Sequence, residues 1–600
     1  HTSIVDHSHA HAPNARAHSA HNAPCTHVGS AAAAMEEIGY KPLVDLVDEG
    51  IYNYGAREKQ DRAHGWAFGL AFVATLGLGV FAAVNVNPHY EKLADPDLMK
   101  MASHCSTRSP GENTAYLTAI AEDDSIDGAT FLRDSKYWLM ASLLGAAFVG
   151  VMFLALFRSF ARQMVWGIIY LKVLALGAVA VYSFTAEGGA LAGTLLMALT
   201  AFTAFVFWLW RREIELVARL LAVASRSLED NPHVITAVVF LKVCLLCVLI
   251  PVGAFITAAY MNGEVVFNTE AKLSNGGKSG GGGRSGTCVA KDGGDMVPCC
   301  MWQPEPWAGA YIALASAVAL WSVMLAFEAR LYTIAGVVAQ WYFAAPGTTN
   351  FKGTTLGALR NAAGPSFGSL CFGSLVLAAV TVAREMGRAA RRDATRSGVG
   401  GGIAVLMCLL SSCLECVYAL IEYLSKFATI QCAITGAAFC DSARSVSQLL
   451  ANNFLSAYGV WWLPGMILST ASFLLSAAYG AVVGLSSWAT WSASKSHPSA
   501  GAEAVALGLI AFVLALVVLQ FCISVLLNVV DTVFICYAMD LDRQLSSKPE
   551  VHDVFVAVRQ KQQQAAGGAG GGAPASAVVQ GPGGNIAYGR YNSPQPVDAV

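Results

Sequence analysis

Apolar residues in this chain fall in long, nearly unbroken blocks separated by polar stretches. A helix crossing a hydrocarbon core of about 30 Å needs about 20 mostly apolar residues. Windows of about 19 residues select ten such blocks: Gly65 to Val84, Tyr137 to Phe157, Met164 to Phe184, Leu191 to Trp210, Val234 to Ala258, Trp307 to Phe343, Ser366 to Ala383, Gly402 to Leu424, Trp461 to Leu485 and Val505 to Met539. The second, third and fourth are joined by very short links, which makes them antiparallel neighbours. The stretch Arg211 to Asn231, RREIELVARLLAVASRSLEDN, is different: charges alternate with apolar residues at helical spacing, which predicts a helix lying at the membrane surface. The pattern therefore predicts an all-α fold, a polytopic transmembrane helical bundle of about ten spans with an exterior loop after the first span.

An even number of spans puts both termini on one side. Basic residues favour the cytosolic side, and Arg57, Lys59 and Arg62, with Arg211, Arg212, Arg219 and Arg226, place the N-terminus there. The basic run Arg384 to Arg396 conflicts with a simple ten-span count, so a misread boundary is expected within Trp307 to Phe343 or Gly402 to Phe454. The expected organisation is a cytosolic, largely disordered segment 1–64, a first span 65–84, an exterior loop 85–136 and spans two to five over 137–260 with the surface helix 211–231. A Gly-rich exterior loop 261–306, spans six to ten over 307–542 and a disordered cytosolic tail 543–600 complete it. The opening segment His1 to His27 is polar and holds seven of the thirteen histidines, so the first span is expected to act as the signal anchor.

Composition agrees: 55% of residues are hydrophobic and 13% charged, about half the charge of a soluble chain. A net charge of −2 with no polybasic run excludes nucleic acid as a partner. Fifteen cysteines suggest a disulfide framework until they are mapped. Eight lie in apolar blocks, Cys432 and Cys440 follow the eighth block and Cys25 lies in the polar N-terminal tail; Cys105, Cys288, Cys299 and Cys300 lie in the two exterior loops and are expected to form one or two bridges, in a pairing that sequence leaves open. No metal or other cofactor is predicted. With no HExxH helix and no Walker-type loop, the chain is read as a non-enzyme and not as an ATP-driven pump.

An ionisable side chain at membrane depth is expensive and usually faces a cavity or a partner. Glu328 and Arg330, two residues apart, point to different helix faces and make poor partners. Trp321, Glu328 and Tyr332 recur at i, i+7 and i+11, and Glu415, Tyr418 and Glu422 at i, i+3 and i+7; Asp531 lies in the last block. Acid beside aromatic rings suits a quaternary ammonium, whose charge is attracted by ring quadrupoles and balanced by a carboxylate. These seven residues are the candidate substrate site. The competing reading is structural: the acids pair with Lys172, Lys242 or Arg444, and the rings form interfacial belts.

Four stretches then carry a family resemblance. AGVVAQWYF (Ala335 to Phe343), FGSLCFGSLVLAAV (Phe367 to Val380), AITGAAFCDSARSVSQLLANN (Ala433 to Asn453) and VVDTVFICYAMDLD (Val529 to Asp542) occur in the order found in choline transporter-like proteins, which the chain resembles from Trp307 to Asp542. It departs at SCLECVYAL, with Glu415 where that family often has Trp. The resemblance implies transport of choline or a related amine such as ethanolamine, secondary-active or facilitative, with protons a candidate coupling ion. It implies residence in the plasma membrane or an organelle membrane. The alternative is a non-transporting scaffold with the same fold that meets protein partners through its tails and loops. In FGSLCFGS, the small residues Gly368, Ser369, Gly373 and Ser374 are read as helix packing in preference to a flexible gate.

Overall fold

The computed structural model describes residues 51–88, 90, 99, 105, 135–185, 189–268, 271–273, 288–290, 296–344, 353–396, 401–452, 454–492, 500–543, 545 and 547–552. The His-rich segment His1 to His27, most of the first exterior loop, the GGKSGGGGRSG run and the tail beyond His552 lie outside the described residues. In chain order the helices are α1 (Arg62–Val84), α2 (Lys136–Thr185), α3 (Ala190–Leu209), α4 (Arg211–Asp230) and α5 (His233–Tyr260). After five short strands come α6 (Pro306–Tyr342), α7 (Thr354–Ala363), α8 (Phe367–Arg396), α9 (Gly401–Thr435), α10 (Phe439–Asn452), α11 (Phe454–Ser492) and α12 (Ala500–Asp542).

Helix α2 is two spans, Lys136–Phe157 and Ser159–Thr185, meeting at a non-helical Phe160. Counting them separately, nine described helical segments are long and apolar enough to cross a membrane. Helix α9 is 35 residues long. The protein is a polytopic helical bundle integral to the membrane. Trp307 to Phe343 holds a single helix, whereas Gly402 to Phe454 holds the end of α9 and the separate short helix α10. In the basic run Arg384 to Arg396, Arg384 and Arg388 each reach Glu415 of α9 at 2.7 Å. That carboxylate offsets charge that a count of Lys and Arg alone leaves exposed.

Lipid and protein contacts divide the helices by composition. Helices α1, α2, α3 and α5 expose Leu, Val and Phe on most of their surface, while the middle of α6 and the C-terminal parts of α9 and α12 are buried among other helices. With no hydrophobic drive between helices in lipid, small residues allow the close approach that gives packing energy. At the α11–α12 contact a Cβ on Gly480 would lie 2.7 Å from the Gly508 carbonyl oxygen. A cavity of about 710 Å³ opens beside this contact, lined by residues such as Gly484, Trp488, Gly501 and Phe512. Helix α4, amphipathic as its sequence requires, buries Ile214, Val217, Leu220, Leu221 and Leu228 within the protein core. It packs against α2, α11 and α12 and so forms a shelf under the bundle, with protein above its apolar face.

The end of the bundle away from α4 carries a feature that the apolar pattern did not predict. Strand β1 (Gly263–Phe267) pairs antiparallel with β5 (Cys300–Pro304), and β2 (Ala271–Leu273), β3 (Cys288–Ala290) and β4 (Met296–Val297) make a second small sheet. All four loop cysteines are bridged there, Cys105 to Cys300 and Cys288 to Cys299. Trp302 packs edge-on against Tyr90 and donates its indole N–H to the Tyr260 carbonyl at 2.8 Å. Asn262 donates to the Ala82 carbonyl at 3.0 Å, joining the ends of α1 and α5 to this cap.

Candidate functional site

The buried face of α6 holds a polar stripe. Trp321 donates its indole N–H to the Cys371 carbonyl and to Ser374 Oγ of α8, both at 3.1 Å, with its ring edge-on to Phe68. Seven residues on, Glu328 is 3% exposed. Its two carboxylate oxygens accept separate hydrogen bonds, from Ser425 Oγ at 3.0 Å and from Thr429 Oγ1, both on α9. It makes no ion pair among the described residues. One turn further, the fully buried Tyr332 hydroxyl meets Ser366 Oγ at 2.8 Å and accepts from Arg57 Nη1. At about 1.5 Å per residue the stripe from Trp321 to Tyr332 spans roughly 16 Å.

The remaining candidates lie elsewhere. Glu415 sits between Arg384 and Arg388, and the Arg384 guanidinium lies 4.3 Å from the centre of the Tyr418 ring, so that aromatic face already carries a cation. Glu422 is exposed. Asp531 on α12 is buried and forms an ion pair with Lys426 of α9. Of the basic residues considered as its partners, Arg444 is exposed, while Lys172 lies over Phe207 and Lys242 over Phe327. The structure thus brings Trp321, Glu328 and Tyr332 onto one interior stripe and leaves Glu415, Tyr418 and Glu422 outside it. Arg330 turns away from Glu328, donating to Ser524 Oγ of α12 at 3.0 Å.

The segment preceding α1 closes the α4-side end of this stripe. Residues 51–61 run as a strap across the C-terminus of α9, whose last four carbonyls have no intrahelical donor. Arg57 donates to the Ala433 carbonyl at 2.8 Å and the Cys432 carbonyl at 3.5 Å; Asn53 supplies its backbone N–H to Ile434 and its side chain to Thr435, each at 3.1 Å. A guanidinium here also complements the negative end of the helix dipole. Helix α9 stops at Gly436, whose φ of +75° suits glycine. Asp61, itself left-handed at φ 49°, is held by Ser369 Oγ at 2.7 Å and the Phe439 N–H at 3.1 Å. Tyr52 is 4% exposed and burial pushes its phenol up to about 12, so it stays neutral under the bundle.

The shared motifs acquire physical roles from these contacts. Gly368 faces the strap backbone, Ser369 holds Asp61, Ser374 receives Trp321, and a Cβ on Gly373 would meet the Phe439 ring at 2.6 Å. Packing and anchoring therefore account for FGSLCFGS. In the last motif Asp540 is fully buried; it accepts from the Tyr342 hydroxyl at 3.1 Å and from the Ser547 N–H at 2.9 Å, and His552 lies 3.2 Å away. Asp61, Ser425, Lys426 and Thr429 were not singled out in the sequence, and Arg57 only as a marker of sidedness. The one local signal was a Ser and a Thr four residues apart at the end of an apolar helix.

Removing the Arg57 guanidinium leaves the Ala433 carbonyl without its donor, while the Cys432 carbonyl keeps the Gly436 N–H at 2.9 Å. Hydrogen bonds to a charged group contribute about 1.5–3 kcal/mol. Arg57→Ala is expected to speed exchange of the Asn53 and Gln60 amides by roughly 10- to 100-fold, measured by hydrogen-exchange mass spectrometry. Unchanged protection of both amides would show that the strap does not depend on this contact.

Membrane-length helices enclosing buried carboxylates, hydroxyls and cations define a polytopic integral membrane protein with a polar interior. The family model described as plasma-membrane choline transporter matches residues 194–542. The chain belongs to that family, and the likeness seen from Trp307 onward reaches back to α3. Similar proteins include a CTL-like protein of Dictyostelium discoideum, 28% identical over 237 residues, which are 37% of this chain and 40% of the relative. Protein PNS1 of Saccharomyces cerevisiae is 24% identical over 340 residues, 56% of this chain and 58% of the relative. Choline transporter-like protein 5-A of Danio rerio is 27% identical over 234 residues, 38% of this chain and 32% of the relative. In each case the match covers less than two thirds of the relative.

Proposed function

We propose that this protein carries choline or a related amine such as ethanolamine across a membrane, either as a facilitator or as a secondary-active transporter with protons as the candidate coupling ion. The observation that supports this most directly is Glu328. A carboxylate held deep in a membrane bundle by two hydroxyls, with no paired cation among the described residues, suits a site that accepts a proton or an organic cation in turn. Trp321 and Tyr332 supply aromatic surface above and below it. The strap across Tyr332 acts as the barrier on the α4 side, which the basic residues of α4 assign to the cytosol, and the plasma membrane is the expected host.

One observation favours the scaffold reading: the polar atoms of Trp321, Glu328 and Tyr332 all have partners within the protein, and the cavity beside α11 and α12 does not include them. Uptake of labelled choline and ethanolamine into proteoliposomes separates the two. The transporter predicts saturable uptake that responds to an imposed proton gradient. Absence of uptake for both amines under every imposed gradient rejects the proposal and leaves the scaffold.

A further inference from the structure

Two cations at membrane depth converge on one ring. Lys242 of α5 places Nζ 4.9 Å from the centre of the Phe327 ring, and Arg330 of α6 places Cζ 5.3 Å from the same point. Arg330 spends one N–H on Ser524, while its Nε is buried without an acceptor. Neither side chain forms an ion pair among the described residues, in contrast to Arg384, Arg388 and Lys426. Two positive charges against one ring repel each other, and the ring quadrupole compensates such charges only in part. An anion between them would remove both penalties.

The surroundings indicate where that anion comes from. Around Lys242 the side chains of Val239, Phe240, Val243 and Leu246 are 45–54% exposed, and Phe327 is 40% exposed. The pair therefore opens toward lipid, away from the Glu328 stripe. Lys242 lies about 14 Å along α5 from its start beside α4, in the half of the bundle that carries the strap. Basic pockets between helices on the cytosolic side recognise lipid head groups, with Lys and Arg side chains extending toward the interface.

We infer that Lys242 and Arg330 form a site for the phosphate of an anionic phospholipid in the strap-side leaflet, with its acyl chains against the exposed face of α5. This assignment is independent of whether the protein transports amines. Native mass spectrometry of the full chain in detergent, with added phosphatidylserine, phosphatidylcholine or inorganic phosphate, tests it. Wild type is expected to retain phosphatidylserine over phosphatidylcholine. Lys242→Gln is expected to weaken the phosphatidylserine adduct about fivefold and leave phosphatidylcholine unchanged; adding Arg330→Gln compounds the loss. Because Lys242 borders lipid, its variant decides the matter even where the Arg330 variant fails to fold. Equal retention of the two lipids, or full retention of phosphatidylserine by Lys242→Gln, overturns the site. Displacement of the lipid by inorganic phosphate at comparable concentration also overturns it, because the pair would then serve a soluble anion.

Discussion

Glu328→Gln is expected to lower amine uptake by roughly a thousandfold while the protein stays folded. A full charge 4 Å from a bound cation contributes about 4 kcal/mol at an effective dielectric near 20, which corresponds to nearly three powers of ten. Glutamine keeps the shape of the side chain, and the Ser425 and Thr429 hydroxyls, which now donate to its two oxygens, can rotate so that one accepts from the amide. Glu328→Ala behaves differently: both hydroxyls lose their acceptor, at about 1–3 kcal/mol for each buried group left unsatisfied, so its melting temperature falls as well. Measuring uptake and melting on both variants separates a lost charge from a lost fold. Uptake by Glu328→Gln within threefold of wild type would remove this carboxylate from the proposed site.

The second large effect is expected at Gly368. A Cβ there would lie 2.3 Å from the Asp61 carbonyl oxygen and 2.5 Å from that of Gln60, and these are backbone atoms that cannot rotate away. The strap must lift, taking with it the Ser369 to Asp61 and Gln60 to Pro365 hydrogen bonds. Overpacking of this kind costs about 1–3 kcal/mol. Gly368→Ala is therefore expected to make the strap roughly 5- to 100-fold more open to trypsin at Lys59 and Arg62. Gly373→Ala is the control: the nearest atoms to its new methyl belong to the Phe439 ring and not to the strap, so the strap should stay protected. Equal cleavage of wild type and Gly368→Ala would mean that the strap does not rest on α8.

The sequence carried the spans and much less of the site, for physical reasons. Lipid offers no hydrogen bonds to the backbone, so each crossing must be a long apolar helix that is visible without knowing its neighbours. Trp321, Glu328 and Tyr332 were legible because one helix face repeats at fixed intervals. Glu415 was visible as an acid at membrane depth, but its partners Arg384 and Arg388 lie on the preceding helix, where a basic run is equally a sign of sidedness. The cysteines were legible by location; their pairing depended on strands of two to five residues, too short to show an alternation. The strap was not legible at all. Its residues, from Ile51 to Asp61, have no periodicity, and their partners are backbone carbonyls whose identity the sequence does not mark.

Those partners lie far along the chain: Asn53 and the Thr435 carbonyl are 382 residues apart. A ribosome adding about 5–20 residues per second delivers the end of α9 roughly 20–75 s after the strap has emerged. For that interval the first span sits in the bilayer with Arg57 and Asp61 unclaimed. Seating the strap thus waits until α9 has been made, and a nascent chain halted before Thr435 has no means of completing it.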